Sequence, residues 1–540
     1  MPLQRDKYTR MQSGTYSDIS PEPRRLSDSL VGLSRYHILV LIVVYSVARL
    51  PLLLNLGTPI LGWRPADLAS IAMNYYRNGF HFLYPQIYWG GNGPGYVEME
   101  FPLIPYLTAL LYKLFGVHEW LALVIPYLTG VGLIIVVYLF ARYVFDSAVG
   151  LVAGVFAGVS PTFAALTTGL WPDPPMVFFG ALGLYALARW VKNDSWVYFL
   201  VAAFSASVAI LLKITALYLG IPILFLCVLK YKGKWWRTPI VWLLAVLILL
   251  PPFLWYYHAH TLYEEYGNTF GILSAGYSKF ADLEILSSPD FYVYSALRVI
   301  MYHLTPFAFC AFAYGFFVRK EGELRHLFYV WFAAVLFYVI VAAKGVVMGH
   351  YQYLLPVVPP GAALAGLGTM SLVRKLESLS WFRQSAFKQW LLTLGMSALF
   401  LVSTVGATHQ YYVRDLYKTP IFEEKRKTGQ AVGRITEPGA LIIVVDTDMD
   451  DRTPERSMTP PDVFYFSDRR GWYLATAWLK TERIEQLRNQ GAGYFVVSGQ
   501  SAAQFTAAHS DIKDYLSRHY RTIMDNGDGI VYDLRGSKNE

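Results

Sequence analysis

Eleven long apolar runs, joined by short polar connections rich in lysine and arginine, constrain this chain more than any other feature. They lie at about 37–56, 119–141, 148–169, 174–191, 196–212, 214–229, 239–256, 294–318, 326–343, 352–371 and 389–407. A bilayer core takes about 20 apolar residues per helical span, and inside lipid a single segment satisfies its backbone groups only as a helix. The composition agrees: 55% hydrophobic and 16% charged residues are far from the roughly 25% charge of soluble domains. Disorder, coiled coil and a string of soluble domains are excluded. Cys227 and Cys310 both sit in apolar runs, so neither a disulfide scaffold nor a cysteine metal cluster is available. The expected fold class is a polytopic α-helical membrane protein of about eleven spans.

The distribution of charge matters more than its total. From Thr408 to Glu540 there are 18 Lys/Arg against 19 Asp/Glu, which leaves 28 against 19 in the first 407 residues. The basic surplus thus lies between apolar runs, where the positive-inside bias puts it, and nothing supports nucleic-acid binding. With residues 1–36 as a cytoplasmic tail, 20 of those 28 basic residues fall inside, among them Arg142, Arg189, Lys230, Arg319 and Arg374. The first run is followed by no small-residue cleavage site and reads as an uncleaved anchor. FPLIPYLTALLYKLF (101–115) is short and carries two prolines; it reads as an interfacial helix on the outer leaflet. This divides the chain into the tail, a membrane domain 37–407 with a first outer loop at 57–118, and a soluble extracytoplasmic α/β domain at 408–540. In the last part LIIVVD (441–446), YFVVSG (494–499) and GIVYDL (529–534) read as buried strands, and TERIEQLRNQGAG (481–493) as a helix ending at glycine.

On this topology the ionisable groups gather on the outer face. The first outer loop holds Arg64, Asp67, Arg77, His81, Glu98, Glu100 and the flexible run GGNGPG (90–95), and loops of such length are usually functional. Asp173 lies between prolines in TGLWPDPPM, and Lys213 interrupts LLKITALYLG. A lysine at membrane depth usually faces an anion or a wet cavity. His258, His260, Arg298, His303, Lys344 and His350 complete the outer set. A carboxylate can deprotonate an acceptor, and lysine with arginine can hold a leaving phosphate. Together they suit transfer of a group from a lipid phosphate outside the cytosol. Each group also has a plain structural reading: Asp67 as a helix cap, Asp173 as the cap of a helix starting at Pro174, Lys213 as a snorkelling side chain. Asp446, Asp448, Asp450 and Asp451 form DTDMDD, which reads as a solvated strand-to-helix loop.

The stretches RPADLASIAMNYYRNGF (64–80), VEMEFPLIPYLTALLYKLFG (97–116), TGLWPDPPMVFF (168–179), LLKITALYLGIP (211–222) and GHYQYLLPVVPPGAALAG (349–366) follow one another in an order that resembles the GT-C membrane glycosyltransferases. More closely, they resemble the branch containing protein O-mannosyltransferases and lipid A aminoarabinose transferases, over about residues 37–370. The resemblance implies a polyprenyl-phosphate sugar donor, an active site facing away from the cytosol and inversion at the anomeric carbon. It implies Asp67 as the first-loop aspartate, Glu100 as the acid beside the lipid phosphate and Asp173 as a further acid. It also implies Lys213 and Arg298 as phosphate contacts, with Glu98, His350 and Tyr351 in the substrate-binding set. A divalent metal ion is a candidate cofactor, with Glu100, His258 and His260 as candidate ligands. This chain has Phe101 where the aminoarabinose branch has lysine. Asp67 is followed by Leu68, so the Asp-Glu pair of the mannosyltransferase branch is absent.

The expectation is an inverting glycosyltransferase of the prokaryotic plasma (inner) membrane, with its active site and C-terminus extracytoplasmic. Its partners would be the lipid-linked donor, the bilayer, and an acceptor lipid, glycan or protein. The competing class, a transporter or flippase of a lipid-linked or anionic solute, shares the buried lysine but has no use for clustered outer carboxylates.

Overall fold

The computed structural model describes residues 34–55, 62–275, 280–319, 321–379, 385–412, 420–446, 460–475 and 479–537, with Gly32 and Ile60. Eight helices among them are long and apolar enough to cross a membrane: Ser34–Leu54, Glu119–Val144, Asp173–Asn193, Ile214–Arg237, Pro239–Tyr266, Glu323–Val341, Tyr351–Glu377 and Phe387–Tyr411. Two bent pairs are long and apolar enough only when taken together, each a broken span or a re-entrant loop: Ser147–Gly158 with Pro161–Thr167 at 65° and Pro289–Leu304 with Pro306–Phe317 at 104°. Trp196–Leu212 is apolar but only 17 residues long. Among the described residues this makes eight to ten candidate spans where about eleven were expected, because Trp196–Leu212 is too short and two runs are bent. Both breaks fall at X–Pro, where proline removes a backbone donor and pushes the preceding residue out of the α region. Ser160 caps the second half of the first pair through Phe163 N at 3.4 Å. Thr305, at φ +71°, turns the other pair.

The connection expected as an outer loop contains a 16-residue helix, Trp63–Asn78, buried from Pro65 to Tyr75. Its apolar positions Leu68, Ile71, Ala72 and Tyr75 recur at helical spacing and are closed off by the rest of the membrane domain. The 13-residue helix Leu103–Phe115 packs beside it.

The C-terminal part holds one five-stranded sheet: β1 Leu441–Val445, β2 Arg470–Leu474, β3 Ala492–Ser498, β4 Tyr520–Asn526 and β5 Gly529–Ser537. The strand order is β2-β1-β3-β5-β4, with β2, β1 and β3 parallel and the β4–β5 hairpin antiparallel. Alternation along each strand serves two cores. Ile443, Val445, Phe495 and Val497 face a layer that includes Leu487, Phe505 and Leu516. Ile442, Val444, Val496 and Val531 join the apolar cluster that continues into the membrane domain, through Val432, Val463 and Phe464.

Candidate active site

Helix Asp173–Asn193 begins at Asp173, with Pro174 and Pro175 in its first turn, where proline costs no hydrogen bond. Asp173 makes no side-chain cap there. Helix Trp196–Leu212 stops one residue before Lys213, which is extended at φ −156° and ψ 121°. The kink aims Lys213 Nζ at Asp173 Oδ1, 2.6 Å away, in a pair whose side chains are 16% and 2% exposed. Lys213 Nζ also lies 4.7 Å from the Tyr353 ring centroid. Lys213 is neither free nor snorkelling; it is fixed by a carboxylate and an aromatic face.

On helix Trp63–Asn78, Arg64 and Asp67 stand three residues apart and so share a face. Arg64 Nη1 is 3.6 Å from Glu100 Oε2, and its guanidinium lies 4.5 Å over Phe270. It is also within electrostatic reach of Asp67, Tyr353 and Asp173. Trp89 Nε1 donates to Asp67 Oδ1 at 2.9 Å. Burial pushes the Asp67 carboxyl up to about 8; Arg64 and the Trp89 bond pull the other way, while Asp462 and Glu100 add to the rise. Glu100 is held in place by its neighbours' backbone: Phe101 N donates to Leu211 O at 3.0 Å, and Trp255 Nε1 donates to Met99 O at 3.1 Å. Both Glu100 oxygens are buried with no hydrogen bond of their own. Arg64, Asp67, Glu100, Asp173, Lys213 and Tyr353 form one polar cluster inside an apolar body.

The other expected residues lie at varying distance from it. Glu98 is buried and turned to a different partner set, bonded by Thr269 Oγ1 and, at 3.0 Å, by Ser274 Oγ. Arg298 lies 4.3 Å over Tyr294 and 5.8 Å from the Tyr351 ring, and its Nη1 is buried without a hydrogen bond. His350 lies against Tyr353, with ring centroids 5.6 Å apart and the planes tilted by 31°. His258 faces Leu83 O at 2.8 Å, whereas His260 faces Ser274 Oγ at 2.8 Å and Glu264 at 3.5 Å. Among the described residues no three His, Cys, Asp or Glu side chains form a group that could hold a metal ion. Near Glu100 the ionic partner is a cation, Arg64.

The solvated loop expected at DTDMDD is not what Asp446 belongs to. It is 2% exposed and pairs at 2.8 Å with Lys425 Nζ, itself fully buried, because β1 ends inside the domain rather than at its surface. Asp448, Asp450 and Asp451 lie outside the described residues. In the sequence Arg64 carries no evident role, and Trp89, Tyr353 and Asp462 do not stand out. The i, i+3 spacing of Arg64 and Asp67 on an amphipathic helix was the one signal present; the rest converge only through tertiary contacts.

This arrangement of membrane helices under a small sheet is the GT-C architecture. Over 94% of this chain it superposes on ArnT from Cupriavidus metallidurans in the apo state, with TM-score 0.62 at 14% identity and 98% of that chain covered. The same protein bound to undecaprenyl phosphate gives 0.60 at 14% identity, covering 93% of this chain and 98% of that one. AglB from Archaeoglobus fulgidus, an archaeal oligosaccharyltransferase in complex with an inhibitory peptide and a dolichol-phosphate, gives 0.53 at 12% identity, covering 94% and 75%. Residues 99–257 match the family model of dolichyl-phosphate-mannose-protein mannosyltransferases. YkcB of Bacillus subtilis (strain 168), a provisionally named mannosyltransferase, is 23% identical over 182 residues, 34% of this chain. The match spans a quarter (25%) of that relative's length.

Proposed function

We propose that the chain is an inverting glycosyltransferase that moves a sugar from a polyprenyl-phosphate donor to an acceptor lipid, glycan or protein. The observation that carries this reading is the cluster itself: three carboxylates, a lysine and an arginine meet where membrane helices adjoin the soluble domain. An acceptor oxygen or nitrogen attacks the anomeric carbon from the face opposite the phosphate. The bond from that carbon to the phosphate oxygen breaks, its electron pair stays with the phosphate, and the acceptor proton passes to the Asp67 carboxylate. Lys213 meets the charge that develops on the phosphate, Asp173 holds Lys213 in place, and Arg298 adds a second cation. Arg64 and Glu100 orient one another beside Asp67.

The reading includes location: a prokaryotic plasma (inner) membrane, with the cluster and the sheet domain on the extracytoplasmic side. The placement of basic residues in the connections supports that orientation. The relatives' ligands support the donor class, since ArnT was crystallised with undecaprenyl phosphate and AglB was solved with a dolichol-phosphate. The test is incubation of the purified protein with radiolabelled polyprenyl-phosphate sugars and extracted envelope acceptors. Release or transfer of the label is expected. Retention of every donor intact, with lipid flipped between vesicle leaflets instead, overturns the assignment.

A further inference from the structure

The side chain that bonds Asp67 sits in a loop held by the soluble domain. Trp89 and Asp67 are 2% and 6% exposed and are joined by the 2.9 Å indole bond. Just before and just after Trp89, the backbone is locked to one glycine of β2. Gly471 N donates to Tyr88 O at 3.0 Å, and Gly91 N donates to Gly471 O at 2.7 Å. Strand β2 is the edge of its sheet, so residues 88–91 cover that edge as an added strand does. Side chains reinforce the seam. Arg77 Nη1 is 2.5 Å from Asp468 Oδ1, Tyr88 donates to the same oxygen at 3.1 Å, and Arg470 Nη2 donates to Gly93 O at 2.6 Å. Asp468 thereby ties the last turn of Asp67's own helix and the Trp89 loop to one point. The approach requires glycine: a Cβ on Gly91, at φ +73°, would lie 2.5 Å from Trp472 Nε1.

We infer that Trp89 is a positioning residue for Asp67, and that docking of the β2 edge onto residues 88–93 sets its place. The soluble domain is then part of the reaction machinery, because the GGNGPG run has little side chain of its own with which to fix the loop. The inference rests on the reading of Asp67 as the base. Asp67 is faced by Arg64 from its own helix, Glu100 from the segment after the loop and Asp462 from the soluble helix Asp462–Ser467. Against two neighbouring acids, the Trp89 bond and Arg64 favour the ionised form.

The test uses the full-length protein in nanodiscs with Trp89→Phe, Asp468→Asn and Asp67→Asn. Asparagine suits position 468, which has φ +54°. Trp89→Phe should lower kcat by about tenfold, the worth of one hydrogen bond to a charged group. It should leave the donor KM within about twofold and raise the pH midpoint of the rate by about one unit. Asp468→Asn should move the midpoint the same way by less. A merely structural seam would reduce the yield of folded protein and leave the midpoint alone. If either variant elutes as monodisperse protein and keeps the wild-type kcat and midpoint, the inference is overturned; if Trp89→Phe does not fold, Asp468→Asn decides. Asp67→Asn at the wild-type rate would remove the base reading itself. Inactive Asp67→Asn beside an unchanged Trp89→Phe profile would remove only the positioning role.

Discussion

Lys213 Nζ lies 2.6 Å from Asp173 Oδ1, joining the broken end of one membrane helix to the first residue of its neighbour. Both side chains are largely out of water, and removing one partner of such a pair strands a charge at a cost of about 3–5 kcal/mol. Asp173→Asn should therefore lower the thermal unfolding temperature of the detergent-solubilised protein. Asp173→Asn combined with Lys213→Met should recover most of the loss, since no charge is left unpaired. Transfer should still be lost in the double variant, because Lys213 no longer meets the charge that develops on the phosphate. Recovery of both stability and transfer would show the pair to be purely structural.

Asp67 gives a pH signature. Burial favours its neutral form, so its ordinary carboxylate range is displaced upward to about 8. A base must be ionised to accept a proton; kcat/KM should thus rise with pH and level off above about 8. Asp67→Asn removes both the rise and, by the usual worth of a general base, about 10²–10⁴-fold of the rate. A profile that stays flat from pH 6 to 9 in the wild type would assign the base elsewhere.

Much of this was legible in the chain, and the exceptions have physical causes. The apolar runs announced the helices because lipid imposes a length and a composition that few sequences meet by chance. The breaks at Ser160–Pro161 and Thr305–Pro306 were readable in principle from proline, yet a hydropathy pattern does not distinguish a bent span from a straight one. The helix Trp63–Asn78 does not show in the hydropathy pattern because its charged residues lower its mean apolarity, and two of those charges, Arg64 and Asp67, belong to the site. Lys213 stands out in the sequence as a charge in a costly place and Asp173 by the prolines beside it, whereas Asp67 and Glu100 are marked out by the family resemblance. Their partners Trp89 and Tyr353 do not stand out, because aromatic residues are common throughout this chain (16%). The strands β2 and β4 are not legible in the sequence pattern either. Arg470 and Gly471 open β2 without an apolar start, and β4 exposes most of its residues.

Helix packing supplies a third prediction. A Cβ on Gly315 would lie 2.0 Å from Leu364 O, and one on Gly368 would lie 2.0 Å from Ala311 O. The helices Pro306–Phe317 and Val358–Glu377 thus touch backbone to backbone, the contact that small residues permit inside membranes. Gly368→Leu should force them apart. Because the second helix continues directly from the turn bearing Tyr351 and Tyr353, transfer should fall together with the unfolding temperature. A conservative Gly→Ala change at exposed Gly395, where nothing lies within 4 Å, should alter neither.

The last prediction concerns the base of the sheet domain. Lys425 and Asp446 are 0% and 2% exposed and 2.8 Å apart; Ser501 Oγ donates to the other Asp446 oxygen at 2.9 Å. Lys425 Nζ also lies 6.0 Å from the Trp63 ring, at the first turn of the Asp67 helix. Lys425→Met would leave the Asp446 charge stranded, again at about 3–5 kcal/mol, and should make β1 and its neighbours open to protease at a lower temperature. Asp446→Asn added to it should restore much of the resistance, since asparagine still accepts from Ser501. If the sheet domain only decorates the membrane portion, Lys425→Met will leave transfer intact at temperatures where the domain is already cut. If its seam holds the Trp89 loop, transfer will fail in step with the cutting, while donor binding by the Lys213 end of the site persists.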